Sequence, residues 1–292
     1  MAIYFDISAH PKSGTTGDCR WRLKGTTLII SGNGKMKDVE DDEVDYFFAQ
    51  DNIIYDTGFS DEDSDVNFLN EDNSDFNSLW SDKIEKVVIK KGVTHIGDRA
   101  FSGCSKIISV TIADTVETIG YYAFSGCESL ESITLPESVT DIDSGAFSDC
   151  TNLKDISIPN GVTSIGSAAF YRCESLTIIQ IPNSVIEIGL AAFYKCTKLT
   201  NVEIPGSVTI VGWNAFEGCK SLTTLDISKW DTSNVGIFGR MFQDCSSLSD
   251  LDVSNFKTNK VNNNITLRIR KLQNLRLNQF AYITYNYAIS RT

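Results

Sequence analysis

The sequence predicts an α+β solenoid, a stack of short coils with one main strand per coil. Two observations predict it. Phe101, Phe124, Phe147, Phe170, Phe193 and Phe216 recur every 23 residues, and Cys104, Cys127, Cys150, Cys173, Cys196 and Cys219 follow each of them by three. Val93, Val116, Val139, Val162, Val185 and Val208 keep the same step, each three residues ahead of Ile96, Ile119, Ile142, Ile165, Ile188 or Val211. A fixed period of this length marks units that cannot bury an apolar face alone and must stack to do so.

Within one unit, Leu130, Ile133 and Leu135 open a β-branched, period-two step that reads as a short strand facing the core. Pro136, Pro159, Pro182 and Pro205 then lack the N–H needed to continue it. The V-x-x-I-G piece reads as a second short extended segment. Its glycine (Gly97, Gly120, Gly166, Gly189, Gly212, with Asp143 as the exception) is expected to permit a turn at positive φ. The A-F-x-x-C-x-x-L piece has helical spacing, and one or two helical turns are expected there. Stacked strands lie about 4.8 Å apart, so eight coils predict a rod on the order of 40 Å long.

Units Leu130–Cys150, Leu153–Cys173 and Leu176–Cys196 resemble the BspA-like leucine-rich repeat nearly letter for letter, and the resemblance extends over roughly residues 84–261. It implies a right-handed leucine-rich-repeat stack whose strands line the concave face. It also implies a microbial surface or secreted protein acting in adhesion or host-protein interaction. Fold alone does not carry function, so that second implication is analogy.

Four segments are expected: a cap over residues 1–80, 23-residue repeats over 81–227, longer variant repeats over 228–280, and a capping strand over 281–292. In the first, Cys19, Trp21 and Leu23 alternate with Arg20, Arg22 and Lys24, and Gly25 leads into Thr27–Ile30. This is a hairpin with one apolar face, suited to cover the open end of the first coil. Gly32–Lys35 lacks the flanking residues of a phosphate loop. Residues 38–76 hold fifteen carboxylates and no Lys or Arg, and read as a solvated loop. Asp61, Asp63 and Asp65 have the spacing of a calcium loop, but Val66 stands where its sharp turn needs Gly, so surface acidity is the favoured reading. After Cys219 the unit lengthens to 26 residues around Trp230, Met241, Phe242 and Cys245. Leu272, Leu275 and Leu277 then supply a further coil.

The 292 residues carry a formal net charge of −12. No apolar run approaches the ~20 residues of a membrane helix, and Met1–Asp6 lacks the opening of a signal peptide. An extracellular or cell-surface location is therefore expected from the resemblance, with a cytoplasmic one as the alternative. Cysteines in one column, without C-x-x-C pairing, read as buried thiols in preference to zinc ligands, although neighbouring rungs lie within reach of a disulfide. No nucleophile elbow, metal-protease helix or phosphate loop is present, and His95 sits in a variable slot. Neither an enzyme nor a cofactor is expected.

What remains is surface. Ser132, Thr134, Asp155, Ser157, Gln180, Asn201, Glu203, Thr224, Asp226, Asp250 and Asp252 point outward from the strands and vary where the core does not. They are the expected binding face for a protein ligand, such as a host extracellular-matrix protein. Tyr121, Tyr122, Tyr171, Tyr194 and Trp213 are candidate aromatic anchors that also suit packing between coils. Residues 253–292 hold seven basic residues and no acid. Weak head-to-tail self-association is expected from that asymmetry, and the alternative functions are a self-assembling surface-layer component or an intracellular protein-interaction scaffold; nucleic-acid binding is not expected, given the overall charge.

Overall fold

The computed structural model describes residues 13–37, 83–230, 240–253, 265–266, 274–277 and 283–284. Within them the chain winds as a β-solenoid. The strands Ser132–Thr134, Asp155–Ser157, Ile178–Gln180, Asn201–Glu203 and Thr224–Asp226 form one parallel sheet in consecutive order. Each strand pairs with the residues 23 positions away, for example Asp155 with both Ser132 and Ile178. A second parallel sheet takes one short strand from each coil, running from Gly34–Lys35 and Val93–Ile96 to Ile210–Val211.

Proline sets strand length as the sequence predicts. Where Lys90 and Ala113 stand in the proline column, their N–H groups donate to Ile30 and Ile89 at 3.0 Å. The strands Lys86–Ile89 and Ser109–Ile112 have four residues, against three in the coils that carry Pro. A missing donor shortens the ladder by one rung.

Two expectations are corrected. No helix forms among the described residues, so the α+β label gives way to a β-solenoid closed by turns. The reason lies in two columns of left-handed backbone. Arg99, Tyr122, Gly145, Ala168, Ala191, Asn214 and Arg240 form one; Gly103, Gly126, Asp149, Arg172, Lys195, Gly218 and Asp244 form the other, all at positive φ. They bracket the A-F segment and break it after each turn. Alternate N–H groups there bond to the next coil, as Arg99, Phe101 and Gly103 do to Tyr121, Ala123 and Ser125 at 2.7–2.8 Å.

The glycine column is the second correction, since its members are absent from the positive-φ set. They are glycine because coils meet there backbone to backbone. A Cβ on Gly166 would stand 2.5 Å from the carbonyl carbon of Asp143, and one on Gly212 would stand 2.3 Å from the Leu190 nitrogen.

The core is a set of ladders. The buried Phe rings stack at 5.1–5.6 Å between Phe101 and Phe216, and at 5.9 Å where the longer unit places Phe242 next. Every described cysteine is a buried thiol outside any disulfide. The Cys150 and Cys173 thiols donate to the Phe124 and Phe147 carbonyls at 3.1 Å, and Cys127, Cys196, Cys219 and Cys245 make the same bond one coil back.

The N-terminal hairpin is present as expected. Cys19–Lys24 pairs antiparallel with Thr27–Gly32, and Gly25 turns at φ +61°. Trp21 is buried while Arg20, Arg22 and Lys24 are exposed. Thr27–Gly32 also pairs parallel with Lys86–Ile89, and Gly34–Lys35 with the second sheet, so the cap's last arm is itself a short coil. At the far end Asp250–Val253 pairs in parallel with Asn274–Leu277, Leu251 in register with Leu275. The further coil expected at Leu275 is therefore in register. Ile283–Thr284, within the expected capping segment, pairs parallel with Ile265–Thr266.

Candidate binding face

Alternation turns the middle residue of each strand inward, Leu225 only partly buried, and exposes its two neighbours. Ile133, Ile156, Ile179 and Val202 are therefore buried, and Ser132, Thr134, Asp155, Ser157, Gln180, Asn201, Glu203, Thr224 and Asp226 are all exposed on one sheet. Asp250 and Asp252 are exposed on the separate strand that pairs with Asn274–Leu277.

Contacts one coil apart hold much of this face in place. Thr224 donates to Asn201 Oδ1 at 2.9 Å, and along its border Thr177, Thr200 and Thr223 donate to the carbonyls 23 residues back at 3.1–3.2 Å. Lys154 bridges Glu131, and Lys229 bridges Glu203, both at 2.7 Å. Asp226 accepts from the Ser228 side chain and backbone, which holds its carboxyl below the ordinary range. Exposed ion pairs of this kind add little stability, but they pre-orient side chains that a ligand would otherwise have to order.

Alternation already points Ile178 outward beside Gln180, but sequence reasoning left it out of the expected binding residues. It stands in register between Asp155 and Asn201 with 55% of its surface exposed. Ile108, beside the strand Ser109–Ile112, is 50% exposed. The signal was present in the sequence, because Ile178 breaks an otherwise polar outward column. A β-branched residue in a strand gave no reason to single it out.

The aromatic candidates separate by environment. Tyr171 and Tyr194 stack at 4.9 Å, with the Lys195 ammonium 5.2 Å from the Tyr194 ring. The Arg99 guanidinium lies 5.5 Å from the Tyr122 ring, whose other neighbour is Gly145. Trp213 is half-buried, and Tyr121 stays exposed. Packing between coils thus occupies three of the five.

The thiols are chemically quiet. Burial pushes Cys127, Cys150, Cys173, Cys196 and Cys219 well above the ordinary thiol range and Cys245 up to about 12, so they stay protonated donors. His95 contacts the Thr118 hydroxyl on the second sheet. Among the described residues no group of three or more His, Cys, Asp or Glu side chains is placed to hold a metal, and no helix is long and apolar enough to cross a membrane. Asp61, Asp63 and Asp65 lie outside the described residues.

The family model for the BspA type leucine rich repeat region matches in six copies over residues 73–185 and 163–292. The chain belongs to that family. Among solved structures it is similar to the T. pallidum leucine rich repeat protein TpLRR, at 25% identity over 80% of this chain and 88% of that one, with a TM-score of 0.53. A leucine-rich repeat protein from Bacteroides ovatus is 25% identical over 70% of this chain and 63% of its own, with a TM-score of 0.45. A leucine rich cell surface protein from Faecalibacterium prausnitzii is 21% identical over 97% of both chains, with a TM-score of 0.30. A search of curated proteins finds no match. The family and fold are typically those of protein-interaction modules, not of enzymes.

Proposed function

We propose that this chain is a non-enzymatic binding module of a microbial cell surface, which engages a host protein through the sheet that runs from Ser132 to Asp226. The single observation that carries the reading is Ile178, a large apolar side chain 55% in water at the middle of a polar sheet. Interfaces concentrate their energy in a few apolar or aromatic residues ringed by polar contacts that exclude water. Gln180, Asn201, Glu203 and Asp155 form such a ring around Ile178.

The test is binding of the purified chain to immobilised fibronectin and fibrinogen at low and high salt. Beside it run Ile178→Ala and a variant with Asn201, Glu203, Thr224 and Asp226 changed to Ala. Binding that resists salt and weakens roughly tenfold in Ile178→Ala is the expected result. Equal binding by both variants, or binding that salt abolishes, would leave only general charge attraction. Salt-sensitive growth in mass without ligand would instead favour the self-assembling surface-layer reading.

A further inference from the structure

Outside the strand face, the large apolar side chains left in water gather on the second sheet. Tyr121 is 49% exposed, Ile186 50% and Ile210 48%. Tyr121 follows the strand Thr118–Ile119, Ile186 precedes Glu187–Ile188, and Ile210 opens Ile210–Val211. A cleft of about 220 Å³ lined by Tyr121, Asp141, Asp143, Ser164 and Glu187 starts at the first of these, and Ile186 and Ile210 stand just beyond its lining, beside Glu187 in sequence and in register. Its floor passes over Gly166 and Gly189, where any side chain would collide with the preceding coil.

Register gives the groove a length. Thr118, Asp141, Ser164, Glu187 and Ile210 are successive partners, so the groove continued past Glu187 to Ile210 spans four coil steps from the coil of Tyr121. At about 4.8 Å per coil this is roughly 19 Å, the reach of about six extended residues. Charge gives it a preference. Asp141, Asp143 and Glu187 line it, with no Lys, Arg or His among the lining residues. Thr140 donates to Asp141 Oδ2 at 2.7 Å and fixes that carboxylate in place.

We propose that this groove binds an extended segment of a partner protein that carries Lys or Arg at its centre and an apolar residue at each end. The cation lies over Asp141 and Glu187, a guanidinium also reaches the face of Tyr121, and the apolar ends cover Tyr121 and the Ile186–Ile210 pair. The site is independent of the strand face, and the two are separable by experiment.

The probe is the synthetic peptide acetyl-Leu-Gly-Arg-Arg-Gly-Leu-amide, titrated into the full chain with labelled isoleucine methyl groups. Shifts at Ile186 and Ile210, with Ile178 unmoved, are expected. Affinity should fall about tenfold in Tyr121→Ala and in the double variant Asp141→Asn, Glu187→Gln. Melting of each variant verifies its fold, and the wild-type titration decides the matter whatever the variants do. No shift at millimolar peptide would overturn the proposal. So would equal shifts from the Glu-Glu analogue, shifts confined to Ile178, or saturation by a neutral disaccharide in place of the peptide.

Discussion

At the scale of single residues, conformation and contact assign glycine differently from what the repeat pattern suggests. Gly166 is required by a neighbouring backbone 2.5 Å from where its Cβ would lie, whereas Ala168 sits at φ +53° without being glycine. Gly166→Ala should therefore destabilise by about 1–3 kcal/mol, as overpacked sites do. Ala168→Gly should cost nothing and gain at most about 1 kcal/mol, because relief of left-handed strain exceeds the added chain entropy. Urea midpoints of the two variants check the pair, and the reverse ranking would put the positive-φ reading back in place. Phe170, stacked between Phe147 and Phe193, should cost roughly 3–5 kcal/mol when cut to Ala.

At the scale of elements, the cysteine column is a ladder of S–H donors. The legible part was its burial and its step; the bond to a Phe carbonyl one coil back was not, since spacing does not reveal which acceptor a coil presents. The ladder has a pH signature. A thiol that titrates near 9.0 in the unfolded chain is raised by burial in the folded one. Above pH 9 the folded state keeps protons that the unfolded state loses, so stability falls as pH rises, by up to about 1.4 kcal/mol per pH unit for each thiol. Below pH 8 these thiols add no slope. Urea unfolding between pH 8 and 9.5 should show this decline, and Cys173→Ala should lessen it by one thiol's share. Native thiols should also react slowly with an aromatic disulfide reagent until the chain unfolds. The missing helix belongs to this scale too: A-F-x-x-C has helical spacing, and the left-handed residues at Tyr122, Arg172 and Lys195 that forbid a helix are ordinary in type.

At the scale of the whole molecule, the period alone specified the stack, and alternation alone specified which strand residues face water. The cap was legible as a hairpin but not as a partial coil, because its parallel pairing with Lys86–Ile89 joins segments more than fifty residues apart. Trp21→Ala should lower the melting temperature while leaving strand-face binding intact below the transition, since the described hairpin covers core and pairs with Lys86–Ile89, in a different sheet from that face. The groove beside Tyr121 was illegible for a related reason: its walls come from successive coils, and only their stacking brings Asp141 and Glu187 to either side of Ser164.

The most direct measurement joins scaffold and face in one molecule. Ile178, Gln180, Asn201 and Glu203 are replaced by Ser, Thr, Ser and Thr, the residues that neighbouring Ser132 and Thr134 already present at those columns. Thermal melting and fibronectin or fibrinogen binding are then recorded together. An unchanged melting temperature with binding lost means that an invariant core carries a replaceable recognition face. Unchanged melting with binding retained at high salt would contradict it and move recognition off this sheet.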